Sequence, residues 1–135
     1  MADIVSDHQS SMFSDTYAEF SRLWPLLAEA IARYGPTHDK EHVWQAIETG
    51  QAQFWPGVNS VMVTEVKVYP TGFQEIIGWL AAGKLEEIEV MMGFAEAAAK
   101  ANGCHRVNLT CREGFKRPFG KKGYRQIMVV LVKDI

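Results

Sequence analysis

The reading turns on EIIGWLAAGKLEEIEVMMGFAEAAAKANG, residues 75–103. Its first part is strand-like, with Ile76, Ile77, Trp79 and Leu80 crowded together. Gly83 then interrupts the run, and from Lys84 to Asn102 the pattern becomes helical: Leu85, Ile88, Met92, Ala95 and Ala99 fall on one face. Glu86, Glu87 and Glu89 crowd the first turns, where the helix dipole favours negative charge, and Gly103 is a helix stop. A strand that feeds a helix through a glycine turn is a place where backbone N–H groups hold a phosphate. The strand-helix-strand unit over about 73–112 makes a right-handed crossover if its strands are parallel.

Outward from this unit, the N-terminal side begins with an expected loose arm over residues 1–12, followed by one domain over 13–135. Ser14 or Asp15 can cap a helix whose apolar positions are Tyr17, Phe20, Leu23, Leu27, Ala30, Ile31 and Tyr34. Pro25 either kinks this helix or starts a second one. THDKEHVWQAIETG (37–50) reads as a short helix capped by Thr37 or Asp39 and ended by Gly50. QAQFW (51–55), SVMVTEVKVY (60–69) and GFQEIIGWLA (72–81) form an antiparallel meander, since their links are short.

Downstream, HRVNLTCR (105–112) reads as a fourth strand and EGFKRPFGKKG as a turn or broken helix. YRQIMVVLVKDI (124–135) is expected to be a last strand inside the sheet, because its apolar run is nearly continuous. The class is α+β (mixed α/β), a single domain in the order α-α-β-β-β-α-β-β.

With 135 residues, 47% of them apolar, the chain can build a core without staples. A net charge of −2 makes the whole molecule a poor general polyanion binder. Cys104 and Cys111, seven apart around one strand, point to opposite faces and are expected to stay reduced. MADIVSDHQSS has no secretory character, and no apolar run is long enough for a bilayer. These features predict no membrane contact and a cytoplasmic protein, or one made inside a cell and packed into a larger particle.

The element order resembles the GNAT N-acetyltransferase fold over about residues 14–135, truncated at both ends. The local resemblance is strongest in AKANGCHRVNLTCREGFKRPFGKKGYR. In wording, QAQFWPG, VTEV, WLAAG and NGCHRV resemble small GNAT-like proteins of tailed phages and prophages. The resemblance to GNAT enzymes implies acetyl-CoA held at Gly83, Lys84 and Leu85, with Glu65 as a base and Tyr124 as an acid. However, GWLAAGKLEE lacks the family's tight glycine pair, and it sets Glu86 and Glu87 where pyrophosphate would lie. This reading therefore expects no ordinary cofactor and a catalytically degenerate module, working in virion structure or assembly or binding a host or viral protein. The alternative is an active N-acetyltransferase that uses acetyl-CoA through an atypical loop.

Three other features carry chemistry. Arg112, Lys116, Arg117, Lys121, Lys122 and Arg125, interleaved with Phe115, Phe119 and Tyr124, form a surface for an acidic protein partner or a second copy of the chain. Nucleic acid is a weaker alternative for this surface. Packing the aromatics inward while the cations stay solvated is the simplest account of the same residues. His38 and His42 share a helix face but lack a third ligand, so no metal is expected. Trp24, Trp44, Trp55 and Trp79 suit a core or an interface.

Overall fold

The computed structural model describes the chain in full from Asp15 to Ile135. Of the arm expected over residues 1–12, Met1 lies outside the described residues and the backbone from Ala2 belongs to the first helix. α1 (Ala2–Ala32) carries Pro25 inside it, so the two halves read from the sequence are one helix. α2 (Lys40–Glu48) follows, then β1 (Ala52–Pro56), β2 (Ser60–Val68) and β3 (Gln74–Gly83). α3 (Leu85–Ala101), β4 (Arg106–Leu109), a 3₁₀ turn at Glu113–Phe115 and α4 (Lys116–Gly120) complete the described elements.

The sheet has the order β1-β2-β3-β4. β1–β2 and β2–β3 are antiparallel, and β3–β4 is parallel across α3. The meander and the crossover expected from residues 51–112 are thus both present, and the fold is a mixed α+β domain.

Side-chain alternation sorts the core into two layers. Val61 and Val63 of β2 face α1 and α2, joining Phe20, Leu23, Leu27, Ile31 and Val43. Met62, between them, faces the other way, toward Ile88, Met91, Met92 and Ala95 of α3 and toward Phe115 and Phe119. The two early helices therefore cover one face of the sheet and α3 the opposite one. Trp24, Trp44 and Trp79 pack in the first layer, and Trp55 in the second. Trp55 also donates from Nε1 to Thr64 Oγ1 at 2.9 Å, which satisfies its polar edge.

Two irregularities coincide on β3. Val63 pairs with Leu80 but Thr64 pairs with Gly78, which leaves Trp79 as the extra residue of a β-bulge. The parallel ladder to β4 also ends there, at Gly78↔Leu109. A bulge bends its strand and increases the local twist, so β3 turns away from β4 where their pairing stops. At Gly78 a Cβ would stand 3.0 Å from Leu109 Cδ1, so the bare backbone lets β4 approach.

The last strand expected over 124–135 is absent. Residues after Tyr124 form no ladder, and Ile127 through Val132 are 51% to 89% exposed. The residue types favour a strand, but propensity makes a strand only where an edge is supplied, and no described strand lies alongside this segment.

Gly83 sets the β3–α3 turn with φ +113°, and a Cβ there would lie 2.3 Å from the Asn59 carbonyl oxygen. Gly83→Ala is expected to destabilise the fold by about 2–4 kcal/mol, combining backbone strain with that collision. Gly103→Ala has φ +77° but open space, so it should cost about 1 kcal/mol. Urea denaturation of the two variants measures the difference.

Candidate functional site

The β3–α3 junction is held by an arrangement that the sequence did not disclose. The β1–β2 turn ends on Gly57 N–H donating to the Ser60 carbonyl at 2.8 Å. From the α1 side, Arg22 donates to the carbonyls of Val58 (2.8 Å) and Gly57 (2.9 Å). From the α3 side, the Glu87 carboxylate accepts from the N–H groups of Val58 and Asn59 at 3.1 Å and from Ser60 Oγ at 2.6 Å. One turn is thus gripped by helices from both faces of the sheet, its carbonyls by a cation and its amides by an anion. The Ser60 hydroxyl bond, which outweighs the partial burial of the group, holds the Glu87 carboxyl below its ordinary range, and the Asn59 and Val58 amides add to this.

This changes the meaning of the acid-rich helix start. The Glu87 charge is spent on the 57–60 turn, leaving Glu86 as the exposed acid of the first turn. Lys84 is the N-cap residue, with extended backbone, and no side chain caps the helix. The first intrahelical bond of this turn is Ile88 N–H to the Lys84 carbonyl at 3.1 Å, so the N–H groups of Leu85, Glu86 and Glu87 precede the ladder. β3 runs from Gly78 to Gly83 beyond its last pair with β4. β3 beyond that pair has no described strand on its β4 side, and this unpaired side leads to the uncapped helix end. Trp79 does not lie there: it packs in the α1–α2 layer, its ring 4.7 Å from that of His38.

Tyr124 and Glu65 are set apart. Tyr124 lies in the α3-side layer, its ring 5.3 Å from Phe119, and its hydroxyl donates to Glu96 Oε1 at 2.5 Å. Burial, then the bond and charge of Glu96, push the phenol well above its ordinary value, so it stays protonated across the neutral range. Glu65 is half-buried on β2. It shares the alternation of Val61 and Val63, which places it on the α1–α2 side of the sheet. No contact joins it to Tyr124 among the described residues.

Arg112, Lys116, Arg117, Lys121, Lys122 and Arg125 are all exposed, while Phe115 and Phe119 are buried beneath them. The aromatics are therefore core and the cations form a solvated basic face. Arg112 lies over the Phe115 ring at 5.6 Å. The two histidines have separate local partners. His42 Nδ1 accepts from the Asp39 N–H at 3.0 Å in the capping box of α2, and His38 packs on Trp79. Cys104 and Cys111 are free thiols, and burial raises the Cys111 value.

The sequence reading also passed over Glu75, which is fully buried on β3. It accepts from Tyr69 Oη at 2.6 Å, Arg106 Nε at 2.7 Å and Asn108 Nδ2 at 3.4 Å. Burial pushes its carboxyl up, but the bonds from Tyr69 and Arg106 outweigh it and leave the value lowered. An acid in an otherwise apolar run, facing the register partner Arg106, was the available signal. This group lies at the paired end of β3 and β4, away from the unpaired stretch, and ties β4 to the sheet.

No protein-family model matches the chain, and no curated protein matches it. Among solved structures it is similar to a Trypanosoma brucei acetyltransferase, with a TM-score of 0.60 and 12% identity over 87% of this chain and 94% of the other. It is also similar to glucosamine-6-phosphate N-acetyltransferase from Arabidopsis thaliana, with a TM-score of 0.55 and 12% identity over 78% and 86% of the two chains. The fold is GNAT-like. Among the described residues no helix is long and apolar enough to cross a membrane.

Glu75 and Glu87 both have depressed carboxyls, so their stabilising contribution is present above the ordinary value of 4.5 and lost as pH falls through the folded-state values. The urea midpoint should fall as pH drops below about 4.5, and Glu75→Gln with Glu87→Gln should flatten that dependence. Glu75→Ala at neutral pH is expected to cost about 3 kcal/mol, since it strands Arg106 and Tyr69. Urea titrations at pH 7 and pH 3.5 measure both effects.

Proposed function

We propose that this protein is an N-acetyltransferase that takes its acetyl group from acetyl-CoA. The observation that carries the reading is the end of the β3–β4 ladder at Gly78↔Leu109, with β3 continuing unpaired on that side to the uncapped start of α3. Both structural neighbours named above are acetyltransferases, which favours an enzyme over a non-catalytic module. Nothing in the comparisons speaks of a phage or virion relative, so that expectation has no further support.

The residues at the junction fit a phosphate-bearing cofactor by their backbone. Leu85 and Glu86 present N–H groups, the helix dipole points its positive end there, and Lys84 adds a cation. Gly83 lets the chain turn tightly into the helix against Asn59 and Ser60, which fixes where those N–H groups stand. The sequence objection was two acids at this point; engagement of Glu87 by the 57–60 turn reduces it to Glu86. Bound acetyl-CoA supplies the activated acyl group. On the protein side, the proposed role is a proton held on Tyr124 Oη for the departing thiolate, while the amine's proton leaves to solvent, since Glu65 lies on the opposite face of the sheet from Tyr124. Because Tyr124 bonds to Glu96, that proton is positioned rather than free.

Isothermal titration of acetyl-CoA tests the reading. Binding at micromolar concentration is expected, weakened about tenfold or more by Lys84→Glu, while Lys67→Glu on the far part of β2 should leave it unchanged. No heat at millimolar acetyl-CoA would overturn the assignment. If binding holds, Tyr124→Phe should lower kcat more than it raises KM.

A further inference from the structure

We infer that α4 and the turn after it form a docking face for an acidic segment of another protein, a stretch of chain rich in Asp and Glu. The inference is independent of the acetyltransferase reading.

Two observations carry it. First, charge is segregated. Residues 112–125 hold Arg112, Lys116, Arg117, Lys121, Lys122 and Arg125 against the single acid Glu113, a net charge of +5. The whole chain carries −2, so the remaining residues together carry −7. All six cations are exposed, and among the described residues none of them is in an ion pair. Like charges on so short a segment repel one another, and no carboxylate of the fold is set against them. Second, the cations stand on a fixed frame. Phe115 and Phe119 are buried beneath them, and Tyr124 packs edge-on against Phe119. Backbone bonds close the turn, from the Lys121 N–H to the Arg117 carbonyl at 3.3 Å and from the Lys122 and Tyr124 N–H groups to the Phe119 carbonyl at 2.9 and 3.1 Å. The Tyr124 hydroxyl ties this frame to Glu96 of α3. Lys100, one turn beyond Glu96 on the same side of α3, is exposed and extends the positive field. A face already ordered in this way loses little freedom on binding beyond that of its long side chains.

The partner's chemistry follows from what the face offers and what it lacks. Single-stranded nucleic acid is held by cations together with aromatic faces on which bases stack. Here Phe115 and Phe119 are 6% and 2% exposed, and Tyr124 is engaged by Phe119 and Glu96, so no ring is set out for stacking. A duplex is a long rod with about one negative charge per 1.7 Å, and the −7 on the rest of the chain opposes so extended a contact. An acidic peptide segment is short and brings its charge only where the cations stand. Arg112, Arg117 and Arg125 can each take a carboxylate with two N–H donors, while Lys116, Lys121 and Lys122 act as point charges. Complementary charge of this kind speeds encounter and selects the partner.

Fluorescence anisotropy of the full chain with a labelled peptide of alternating Asp and Glu tests the inference, its Asn/Gln counterpart serving as control. The acidic peptide should bind with a Kd of about 10 µM at low salt and weaken about tenfold or more as salt is raised to about 0.3 M, because the contact is between exposed charges. The neutral peptide should not bind. Lys121→Glu with Lys122→Glu should weaken binding about tenfold or more, and Lys67→Glu on β2 should leave it unchanged. Should the double variant fail to fold, the unaltered chain decides through ¹H–¹⁵N spectra, where the peptide should shift the amides of residues 112–125 and spare Val58 and Asn59. Absence of binding at millimolar peptide overturns the proposal, as do full binding by a folded double variant and shifts confined to residues outside 112–125. Tighter binding of single-stranded DNA of the same charge overturns it in favour of nucleic acid. A mass above the 15.2 kDa of one copy that the double charge reversal abolishes overturns it in favour of a second copy of the chain.

Discussion

The structure depends on the grip that α1 and α3 keep on the turn between β1 and β2. Arg22 holds its carbonyls and Glu87 its amides and the Ser60 hydroxyl. A turn of four residues has more polar backbone groups than it can satisfy internally. Here the surplus is divided by sign between two helices on opposite faces of the sheet. That division fixes where α3 begins, because Glu87 can reach the turn only if the helix starts at Leu85, directly after Gly83. Gly83 in turn has no room for a side chain, its Cβ position being taken by Asn59 and Ser60 of the same turn.

Two further features set the unpaired stretch of β3. The bulge at Trp79 lets β3 continue as a partner of β2 while it parts from β4. Gly78 allows Leu109 to lie close at the last point of contact. At the other end of the ladder, the buried Glu75 binds Tyr69, Arg106 and Asn108, so β3 and β4 are tied tightly there. One end of the strand pair is held by the buried Glu75 carboxylate on the partly exposed Arg106, and the pairing stops at a bulge at the other. A stretch of β3 that is unpaired on its β4 side and leads to a helix N-terminus is the mechanical result.

Much of this was legible in the sequence. The helical face of α3 at Leu85, Ile88, Met92, Ala95 and Ala99, the β-branched run of β2 and the punctuation at Gly50, Pro56-Gly57 and Gly103 gave the elements within a few residues. The order of short links and one long crossover gave the mixed sheet. What remained hidden was tertiary. Glu87 reads as a dipole-favoured acid at a helix start, and nothing local reveals that a turn 28 residues earlier accepts its charge. Glu75 reads as one polar residue in a strand until Arg106 is placed across from it. The segment over 124–135 reads as a buried strand because its composition is that of one; composition reports a preference for pairing, and the pairing edge is not encoded locally.

The account rests on the start of α3 being open to an anion because its nearest acid is engaged elsewhere. The direct measurement is a ¹H–¹⁵N titration of the protein with coenzyme A, following the amides of Gly83, Lys84, Leu85 and Glu86 alongside those of Val58 and Asn59. The account predicts that the first four shift saturably while Val58 and Asn59, held by Glu87, stay in place. Shifts that spare residues 83–86, or that release Val58 and Asn59, would contradict it.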